Sequence, residues 1–461
     1  MERYEKYKDS GVEWIGEIPE EWGVKKLKRL IKNLESGVSV NSTDFPASNV
    51  SYGILKTSCV YNYFFDPKEN KEIWQSELIR AKINPRKGEL IISRMNTPDL
   101  VGASGYVEND HANLFLPDRL WQTKFYEHVA LDTKWLSFVT KSLPFRKHLS
   151  ILATGTSPSM KNLAQEDFLN IDIPFPKQRE QTAIANYLDR KTAEIDALIA
   201  QKERLIALYE EEKTAIINQA VTQGIDPNAK LKESGIDWLG EIPVGWDTKK
   251  LKHFIESLES GVSVNSTDFP ASENSFGVLK TSCVYNYQFD PSENKEIWHT
   301  EIERAKINPQ EGQLIISRMN TPDLVGASGY VEQSYPNLFL PDRLWQTKFF
   351  RYAVINTRWL SFLIKSVSFR KLLSILATGT SPSMKNLSQE DFLNIDIPYP
   401  TEIEQTALVY HIETETARID AKIAKTPRII ELQKEYRTAL ISEVVTGKIK
   451  VSHLVDKELA Q

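Results

Sequence analysis

The sequence predicts an α+β protein in which two mixed α/β domains are separated by a long antiparallel coiled coil, with pseudo-two-fold symmetry. Two observations lead to this prediction. The chain of 461 residues repeats itself once, without a gap, at an offset of 224 positions. Each copy opens with a stretch rich in Gly, Pro, Trp and Tyr and closes with a glycine-poor stretch whose apolar residues recur at seven-residue spacing.

The composition is that of a globular protein, with 41 % hydrophobic and 26 % charged residues. No apolar run approaches the ~18 residues that a membrane span needs, so we expect no membrane partner. Two cysteines cannot form a disulfide framework, which favours a cytoplasmic location. The net charge of −5, from 57 basic and 62 acidic residues, predicts weak non-specific attraction to phosphate.

The repeat divides the chain into four predicted segments. LESGVSVNSTDFPAS stands at 34–48 and again at 258–272, and LATGTSPSMKNL stands at 152–163 and 376–387. Short strand-like runs separated by turn residues predict a mixed α/β domain in each copy. The predicted boundaries are a domain over 1–175, a long helix over 176–224, a second domain over 225–399, and a second helix with a tail over 400–461.

Each predicted helix has an apolar stripe, and a helix of roughly 44 residues is about 65 Å long. A linker of about nine residues starts the second domain at the far end of the first helix, so the second helix must run back antiparallel. Pro427 is expected to kink or break that helix. The residues predicted to pack helix against helix are Ile184, Leu188, Ile195, Leu198, Leu205, Tyr209, Ile216, Leu408, Ile412, Ile419, Ile429, Tyr436 and Leu440.

Motifs of catalysis are missing from the sequence. It contains no GxxxxGK[ST] phosphate loop, no HExxH and no CxxC pair, so we predict neither catalytic nor metal-binding residues. Cys59 and Cys283 occupy equivalent positions among strand-like residues and are predicted to be buried. Trp14, Trp22, Trp74 and Trp121, with their repeats, are predicted to pack in the core.

Three loop-like patches that are kept identical in both copies combine cations, hydroxyls and amides. Arg and Asn can address guanine and adenine in the major groove, and hydroxyls and lysines suit phosphate oxygens. Each patch could instead be a surface loop whose polar groups satisfy turns. The predicted DNA-binding residues are Lys56, Thr57, Ser58, Tyr61, Asn62, Arg94, Asn96, Thr97, Thr156, Ser157, Lys161 and Asn162, and in the repeat Lys280, Thr281, Ser282, Tyr285, Asn286, Arg318, Asn320, Thr321, Thr380, Ser381, Lys385 and Asn386.

The whole chain resembles the specificity subunit of type I restriction–modification systems. The resemblance rests on the SGVEWIGEIPEEW opening, on GTSPSMKNL, and on IDIPFP-KQREQTAIANYLDRKTAEIDALI with its repeat IDIPYP-TEIEQTALVYHIETETARIDAKI. It implies two target-recognition domains that read a bipartite site in double-stranded DNA, and helices that dock two methyltransferase subunits. Restriction subunits, with motor and nuclease activity, would join the complex. Catalysis, S-adenosylmethionine, ATP and Mg would belong to those partners, so this chain is expected to be non-catalytic.

The sequence departs from that family's usual pattern because its two recognition domains are nearly identical. Identical domains placed antiparallel present the same surface to opposite strands, which predicts an interrupted palindrome as the target. A coiled-coil scaffold that binds protein is the alternative. A lone methyltransferase would need an NPPY-type tetrapeptide, and Asn84-Pro85-Arg86-Lys87 is not one.

Overall fold

The computed structural model describes residues 2–157, 160–381 and 384–451; the side chains at 156, 157, 380 and 381 lie outside the description. The chain divides into two compact units. Unit 1 contains the residues up to Glu203 together with those from Arg428 onward, and unit 2 is Arg204–Pro427. Each unit therefore combines one mixed α/β domain with the beginning or end of each long helix.

The elements of the first repeat follow one another in chain order. The strands are β1 Tyr7–Asp9, β2 Glu17–Pro19, β3 Gly23–Lys26, β4 Ile31–Ser36, β5 Gly53–Leu55, β6 Asn70–Glu72, β7 Leu90–Ser93, β8 Met95–Asn96, β9 Ser104–Tyr106, β10 Leu114–Phe115, β11 Leu120–Phe125, β12 Thr154–Ser157, β13 Met160–Asn162 and β14 Asp172–Phe175. The helices are α1 Thr133–Lys141, α2 Leu143–Leu152, α3 Gln165–Leu169 and α4 Gln178–Gln223, with 3₁₀ turns at Leu27–Arg29, Thr57–Val60 and Gln75–Arg80.

The second repeat has the same elements in the same order. Its strands are β15 Leu231–Glu233, β16 Glu241–Pro243, β17 Asp247–Lys250, β18 Ile255–Ser260, β19 Gly277–Leu279, β20 Asn294–Glu296, β21 Leu314–Ser317, β22 Met319–Asn320, β23 Ser328–Tyr330, β24 Leu338–Phe339, β25 Leu344–Phe349, β26 Thr378–Ser381, β27 Met384–Asn386 and β28 Asp396–Tyr399. Its helices are α5 Thr357–Lys365, α6 Val367–Leu376, α7 Gln389–Leu393 and α8 Glu402–Val445, with 3₁₀ turns at Leu251–His253, Thr281–Val284 and His299–Arg304.

The main sheet of each domain has four antiparallel strands, in the order β4-β11-β7-β9 and β18-β25-β21-β23. Strands β7 and β21 both read LIIS and are buried along their whole length, as expected of a short apolar run covered on two faces. Helices α1 and α5 pack against the sheet with buried tryptophans, Trp135 and Trp359. The predicted mixed α/β domains are thus confirmed.

Cys59 and Cys283 lie in the domain cores, as predicted. Burial raises the pKa of both thiols, because the thiolate would lose its hydration there. Trp22 and Trp121 are buried, also as predicted. The prediction of core packing is wrong for Trp74 and its repeat Trp298, whose side chains are 51 % and 52 % exposed. Each of them immediately precedes a 3₁₀ turn that contains no buried residue.

A buried glutamine joins each long helix to its own domain. Gln181, one turn into α4, accepts a hydrogen bond from the Asp132 N–H at 2.9 Å and donates one to the Pro176 carbonyl at 2.9 Å. Gln405 makes the same two bonds at the start of α8, to Asn356 and Pro400. Because these glutamines are fully buried, the helix start cannot tilt without leaving polar groups unpaired.

The long helices α4 and α8 pack against each other antiparallel within each unit, which confirms the predicted pairing. In unit 2, Lys213 Nζ lies 2.6 Å from Asp420 Oδ1, and Lys422 Nζ lies 5.1 Å from the centroid of the Tyr209 ring. The α8 number rises as the α4 number falls, which defines an antiparallel pair. In unit 1, Arg437 on α8 pairs with Asp196 on α4.

The apolar stripe of α8 corrects two of the predicted packing positions. Ile429 is 40 % exposed and Tyr436 is 44 % exposed, whereas Ile430 is buried. The buried and half-buried positions follow seven-residue spacing through Ile412, Ile419, Thr426, Gln433 and Leu440. Ile429 and Tyr436 fall between the positions of this stripe, at a different angle around the helix, where each residue turns the chain by about 100°.

The other predicted packing residues divide into two groups by burial. Ile184, Leu188, Ile195, Leu408, Ile412, Ile419 and Leu440 are buried. Half-buried residues of α4 are Leu198, Leu205, Tyr209 and Ile216.

Helix α8 runs through Pro427 from Glu402 to Val445, so Pro427 does not break the helix. Proline has no N–H to donate to the carbonyl four residues earlier, which costs a helix about 3 kcal/mol. The hydroxyl of the buried Thr426 donates to the Lys422 carbonyl at 3.0 Å. Buried Ile419 and Ile430 on either side hold the helix in place by packing.

Candidate nucleic-acid interface

Three segments that lie far apart in the sequence meet at one place in each domain. Strand β8 directly follows the buried β7, and β13 pairs with it antiparallel, with Lys161 opposite Asn96 and Asn162 opposite Met95. The 3₁₀ turn Thr57–Val60 reaches the same place through Tyr61. The structure thus brings all three predicted patches together.

A polar cluster of four side chains, Thr57, Tyr61, Ser93 and Asn96, joins these segments in unit 1. Asn96 Nδ2 donates to Tyr61 Oη at 3.0 Å and to Ser93 Oγ at 3.1 Å. Tyr61 Oη also lies 2.8 Å from Thr57 Oγ1. Because every member bonds to another, the cluster fixes the turn relative to the strand.

The polar cluster of unit 2 consists of Thr281, Tyr285, Ser317 and Asn320. Asn320 Nδ2 donates to Tyr285 Oη at 3.1 Å and to Ser317 Oγ at 3.2 Å, and Tyr285 Oη lies 2.9 Å from Thr281 Oγ1. The two repeats therefore build the same cluster from the same residue types.

Asn96 and Asn320 are buried, with 7 % and 8 % of their surface exposed. Each accepts a hydrogen bond at Oδ1 from the N–H of the next residue, Thr97 or Thr321, at 2.9 Å. The amides thus hold the following loop in shape. Thr97 and Thr321 are themselves exposed, as are Asn62 and Asn286.

The predicted lysine at the turn is held by a carboxylate. Lys56 Nζ lies 2.9 Å from Glu69 Oε2, and Ser58 donates to the same oxygen. Hydrogen bonds from Ser58 and Lys56 lower the pKa of Glu69, because they favour the charged carboxylate. In unit 2, Lys280 lies 3.1 Å from Glu293, and Ser282 donates to that carboxylate.

Arg94 and Asn162 carry buried polar atoms that find no hydrogen-bond partner among the residues that the structure describes. These atoms are Arg94 Nε and Asn162 Oδ1, and in unit 2 they are the same atoms of Arg318 and Asn386. Lys161 and Lys385 are half-buried. Thr156, Ser157, Thr380 and Ser381 have side chains outside the described residues, so their assignment stays a prediction.

Sequence reasoning missed an arginine that braces the loop after β8. Arg146 on α2 is buried and donates to the carbonyls of Val101, at 2.7 Å, and Asp99. Its guanidinium also lies 5.3 Å from the centroid of the Tyr63 ring. Tyr63 has a φ of 61°, a left-handed conformation that is rare for a residue with a Cβ.

Unit 2 repeats this brace with Arg370. Its guanidinium donates to the carbonyls of Val325 at 2.6 Å and Asp323 at 2.7 Å, and lies 5.4 Å from the Tyr287 ring. Tyr287 also has a positive φ, of 56°. The available sequence signal was that both copies keep this arginine and this tyrosine.

Among the described residues, no group of three or more His, Cys, Asp or Glu side chains could hold a metal ion. The described helices also include none with both the length and the apolar character of a membrane span. The site is a set of amides, hydroxyls and cations contributed by the 3₁₀ turn Thr57–Val60, by β8 with its braced loop, and by β13, and by their repeats. Such groups can bind phosphate oxygens and base edges.

Comparison with known proteins finds relatives that share part of the sequence. It is 28 % identical over 297 residues to the type I restriction enzyme MjaVIII specificity subunit of Methanocaldococcus jannaschii, covering 62 % of this chain and 64 % of the relative. It is 26 % identical over 283 residues to the EcoKI specificity subunit of Escherichia coli, and this match covers 60 % of this chain and 57 % of the relative. With the EcoEI specificity subunit of Escherichia coli it shares 23 % identity over 214 residues, covering 45 % and 35 %.

The matches span between about a third and two thirds of these relatives' own length, 35 % to 64 %. No protein-family model matches the chain. The resemblance to type I restriction enzyme specificity subunits predicted from the sequence is nevertheless confirmed by these relatives.

Two solved structures share the fold. A chain from a structure describing complex assembly and conformational transition of the type I R-M system has a TM-score of 0.67 and 15 % identity, covering 94 % of this chain and 99 % of that one. The HsdS subunit from Thermoanaerobacter tengcongensis has a TM-score of 0.54 and 16 % identity, covering 94 % and 98 %.

Proposed function

We propose that this chain, a relative of type I restriction enzyme specificity subunits, is the DNA-specificity subunit of a type I restriction–modification complex. Each repeat would read one half of a bipartite target in double-stranded DNA. The observation that supports this most directly is the duplicated polar cluster, in which the same four residue types brace the same loop in both units. A surface built twice from identical residues is expected to read the same bases twice.

The proposed target is an interrupted palindrome, because two identical readers acting on opposite strands require inverted half-sites. The braced loops following Asn96 and Asn320 would meet the bases. Arg94, Lys161 and their repeats would contribute cations to the same surface. The bases between the half-sites would not be read.

The proposed partners are two methyltransferase subunits and restriction subunits. The long helices α4 and α8 would dock the methyltransferase subunits. S-adenosylmethionine, ATP and Mg would be used by the partners, which would perform methylation, translocation and cleavage. This chain would be non-catalytic and would act in the cytoplasm, where its DNA substrate is.

Methylome sequencing tests the target directly. Cells that express the chain with its methyltransferase subunit should acquire one methylation motif composed of two inverted, matching half-sites around an unread spacer. Two unrelated half-sites would contradict the palindrome while leaving the recognition role intact.

The recognition role itself is tested by co-purification and by binding. The tagged chain should retain a methyltransferase subunit and bind a duplex carrying the mapped motif, with an affinity that falls steeply as salt rises. A chain that binds no duplex under any salt condition, alone or with that subunit, would instead be a protein-binding scaffold.

A further inference from the structure

A cleft of about 410 Å³ in unit 2 adjoins the recognition surface described above and shares Arg370 and Tyr287 with the brace of its loop. Its walls come from the later turns of α4, from the junction of α5 and α6, and from the loop that begins at Asn286. The charged residues lining it are Glu210, Lys213, Lys365, Arg370 and Lys371. Four cations therefore face one carboxylate.

Internal pairing does not remove the positive charge of the cleft. Lys213 is neutralised by Asp420 at 2.6 Å. Arg370 Nη1 and Nη2 donate to the carbonyls of Val325 and Asp323, which carry no net charge, and its buried Nε has no partner among the described residues. After the Lys213 pair is set aside, three cations remain against Glu210.

Lys365 is the cation that most requires a ligand. Its Nζ lies over the Phe362 ring, 4.4 Å from the centroid, and no carboxylate within ion-pair distance is found among the described residues. Burial lowers its pKa to about 8, with Lys213 and Arg358 acting in the same direction and Asp420 and Glu413 opposing. A desolvated ammonium without a counter-ion is costly unless an anion reaches it.

The same arrangement of lysine, ring and helix pair recurs in unit 1. Lys141 ends α1 as Lys365 ends α5, and its Nζ lies 5.0 Å from the Phe138 ring centroid. Arg437 pairs with Asp196 as Lys213 pairs with Asp420. Burial lowers the pKa of Lys141 to about 8 as well. Both copies keep at one position a desolvated lysine that has no ion-pair partner within the described ranges, which suggests a common ligand.

We propose that this cleft binds a backbone phosphate of the DNA whose bases meet the adjacent recognition surface, with Lys365 as its main cation. The inference rests on the proposed function. One wall of the cleft contains Asn286, which directly follows Tyr285 of the polar cluster, so the cleft continues the recognition surface. A phosphate oxygen would give Lys365 a charge-assisted hydrogen bond in place of lost water.

A salt titration of DNA binding tests this assignment. The full chain, with its methyltransferase subunit, is titrated with a duplex that carries the motif mapped by methylation. Lys365→Met should weaken binding several-fold and reduce the slope of log K against log salt by about 0.9, the value for one lost phosphate contact. Lys230→Met, at an exposed linker position of the same unit, should change neither quantity.

The outcomes separate the two levels of the proposal. If the wild type binds the duplex and Lys365→Met keeps the same affinity and slope, the cleft assignment is wrong and the proposed function stands. If the wild type binds no duplex, the proposed function itself fails.

Competitive acetylation of the wild-type chain gives a second test that needs no variant. At pH 8, Lys365 should react with acetic anhydride in the free protein and become protected when the duplex is added. Protection of Lys365 by polyglutamate but not by the duplex would assign the cleft to an acidic polypeptide and would overturn the phosphate proposal. The absence of protection by either probe would also overturn it.

Discussion

Asn96 Nδ2 donates a hydrogen bond to Tyr61 Oη at 3.0 Å, and Asn320 makes the same bond to Tyr285 at 3.1 Å. The paired residues are 35 positions apart in each repeat. This bond ties the turn after β5 to the strand before the braced loop. The shape of the loop therefore depends on a tyrosine hydroxyl from elsewhere in the domain.

Removing both hydroxyls should loosen the recognition surface. In Tyr61→Phe/Tyr285→Phe, the buried Asn96 and Asn320 lose a partner, which costs about 1 kcal/mol or more per site. We expect target-duplex affinity to fall about ten-fold, with smaller loss on a scrambled duplex. Fluorescence anisotropy measures both affinities. Tyr352→Phe, which alters an exposed tyrosine, serves as control; equal loss in the control would contradict the prediction.

The corrected stripe of α8 predicts unequal effects for the same substitution at two positions. Ile412→Ala removes a fully buried side chain and should lower the free energy of unfolding by about 2–5 kcal/mol. Ile429→Ala removes a side chain that is 40 % exposed and should lower it by less than about 1 kcal/mol. Urea denaturation followed by circular dichroism compares them. If both substitutions lowered the free energy of unfolding by similar amounts, Ile429 would have to belong to the buried stripe, which would contradict this prediction.

Replacing the proline inside α8 should stabilise the protein. Pro427→Ala restores a backbone N–H and removes a ring from the helix interior, for an expected gain of about 1–3 kcal/mol. The unit 1 counterpart, Glu203 in α4, shows that an ordinary helical residue fits the equivalent position. Thermal unfolding measures the change. Pro227→Ala, in an exposed turn, should give no gain, and a loss of stability in Pro427→Ala would count against the prediction.

The desolvated Lys141 predicts a pH-dependent stability. Burial lowers its pKa to about 8, and Lys134 and Arg437 act in the same direction while Asp189 and Glu108 oppose. Between pH 8 and the ordinary lysine pKa of about 10.4, the unfolded chain binds more protons than the folded chain, so this lysine makes stability rise with pH. Below pH 8 both states are protonated and the full cost of burial remains.

Lys141→Met should therefore raise the melting temperature at pH 7, and its advantage over the wild type should shrink by pH 10. Differential scanning fluorimetry at the two pH values measures this. Lys147→Met, at an exposed position on α2, is the matched control and should show no pH-dependent difference. An advantage of the same size at both pH values would mean that packing, not charge, is responsible.

Much of the architecture was determined by local sequence patterns. The repeat at an offset of 224 positions predicted two equivalent domains, the seven-residue spacing predicted the long helices, and the short linker between helix and second domain predicted their antiparallel packing. These predictions succeeded because helical periodicity and turn residues act over a few neighbouring positions. The predicted stripe is wrong at Ile429 and Tyr436, whose side chains are 40 % and 44 % exposed, because an apolar residue near the expected spacing is buried only where the folded chain covers it.

The sequence by itself determined the recognition surface only in part. Identity between the copies located the three polar patches, because the comparison needs no structure. Only the tertiary structure decided that Asn96 is buried against Tyr61, that Arg146 braces the loop after β8, and that Lys365 has no counter-ion in the part of the chain that the structure describes. Each of these relationships joins residues from different elements, and burial and hydrogen bonding between distant segments arise only when the chain packs. Sequence periodicity defined the elements, and packing selected which side chains remain exposed to meet a ligand.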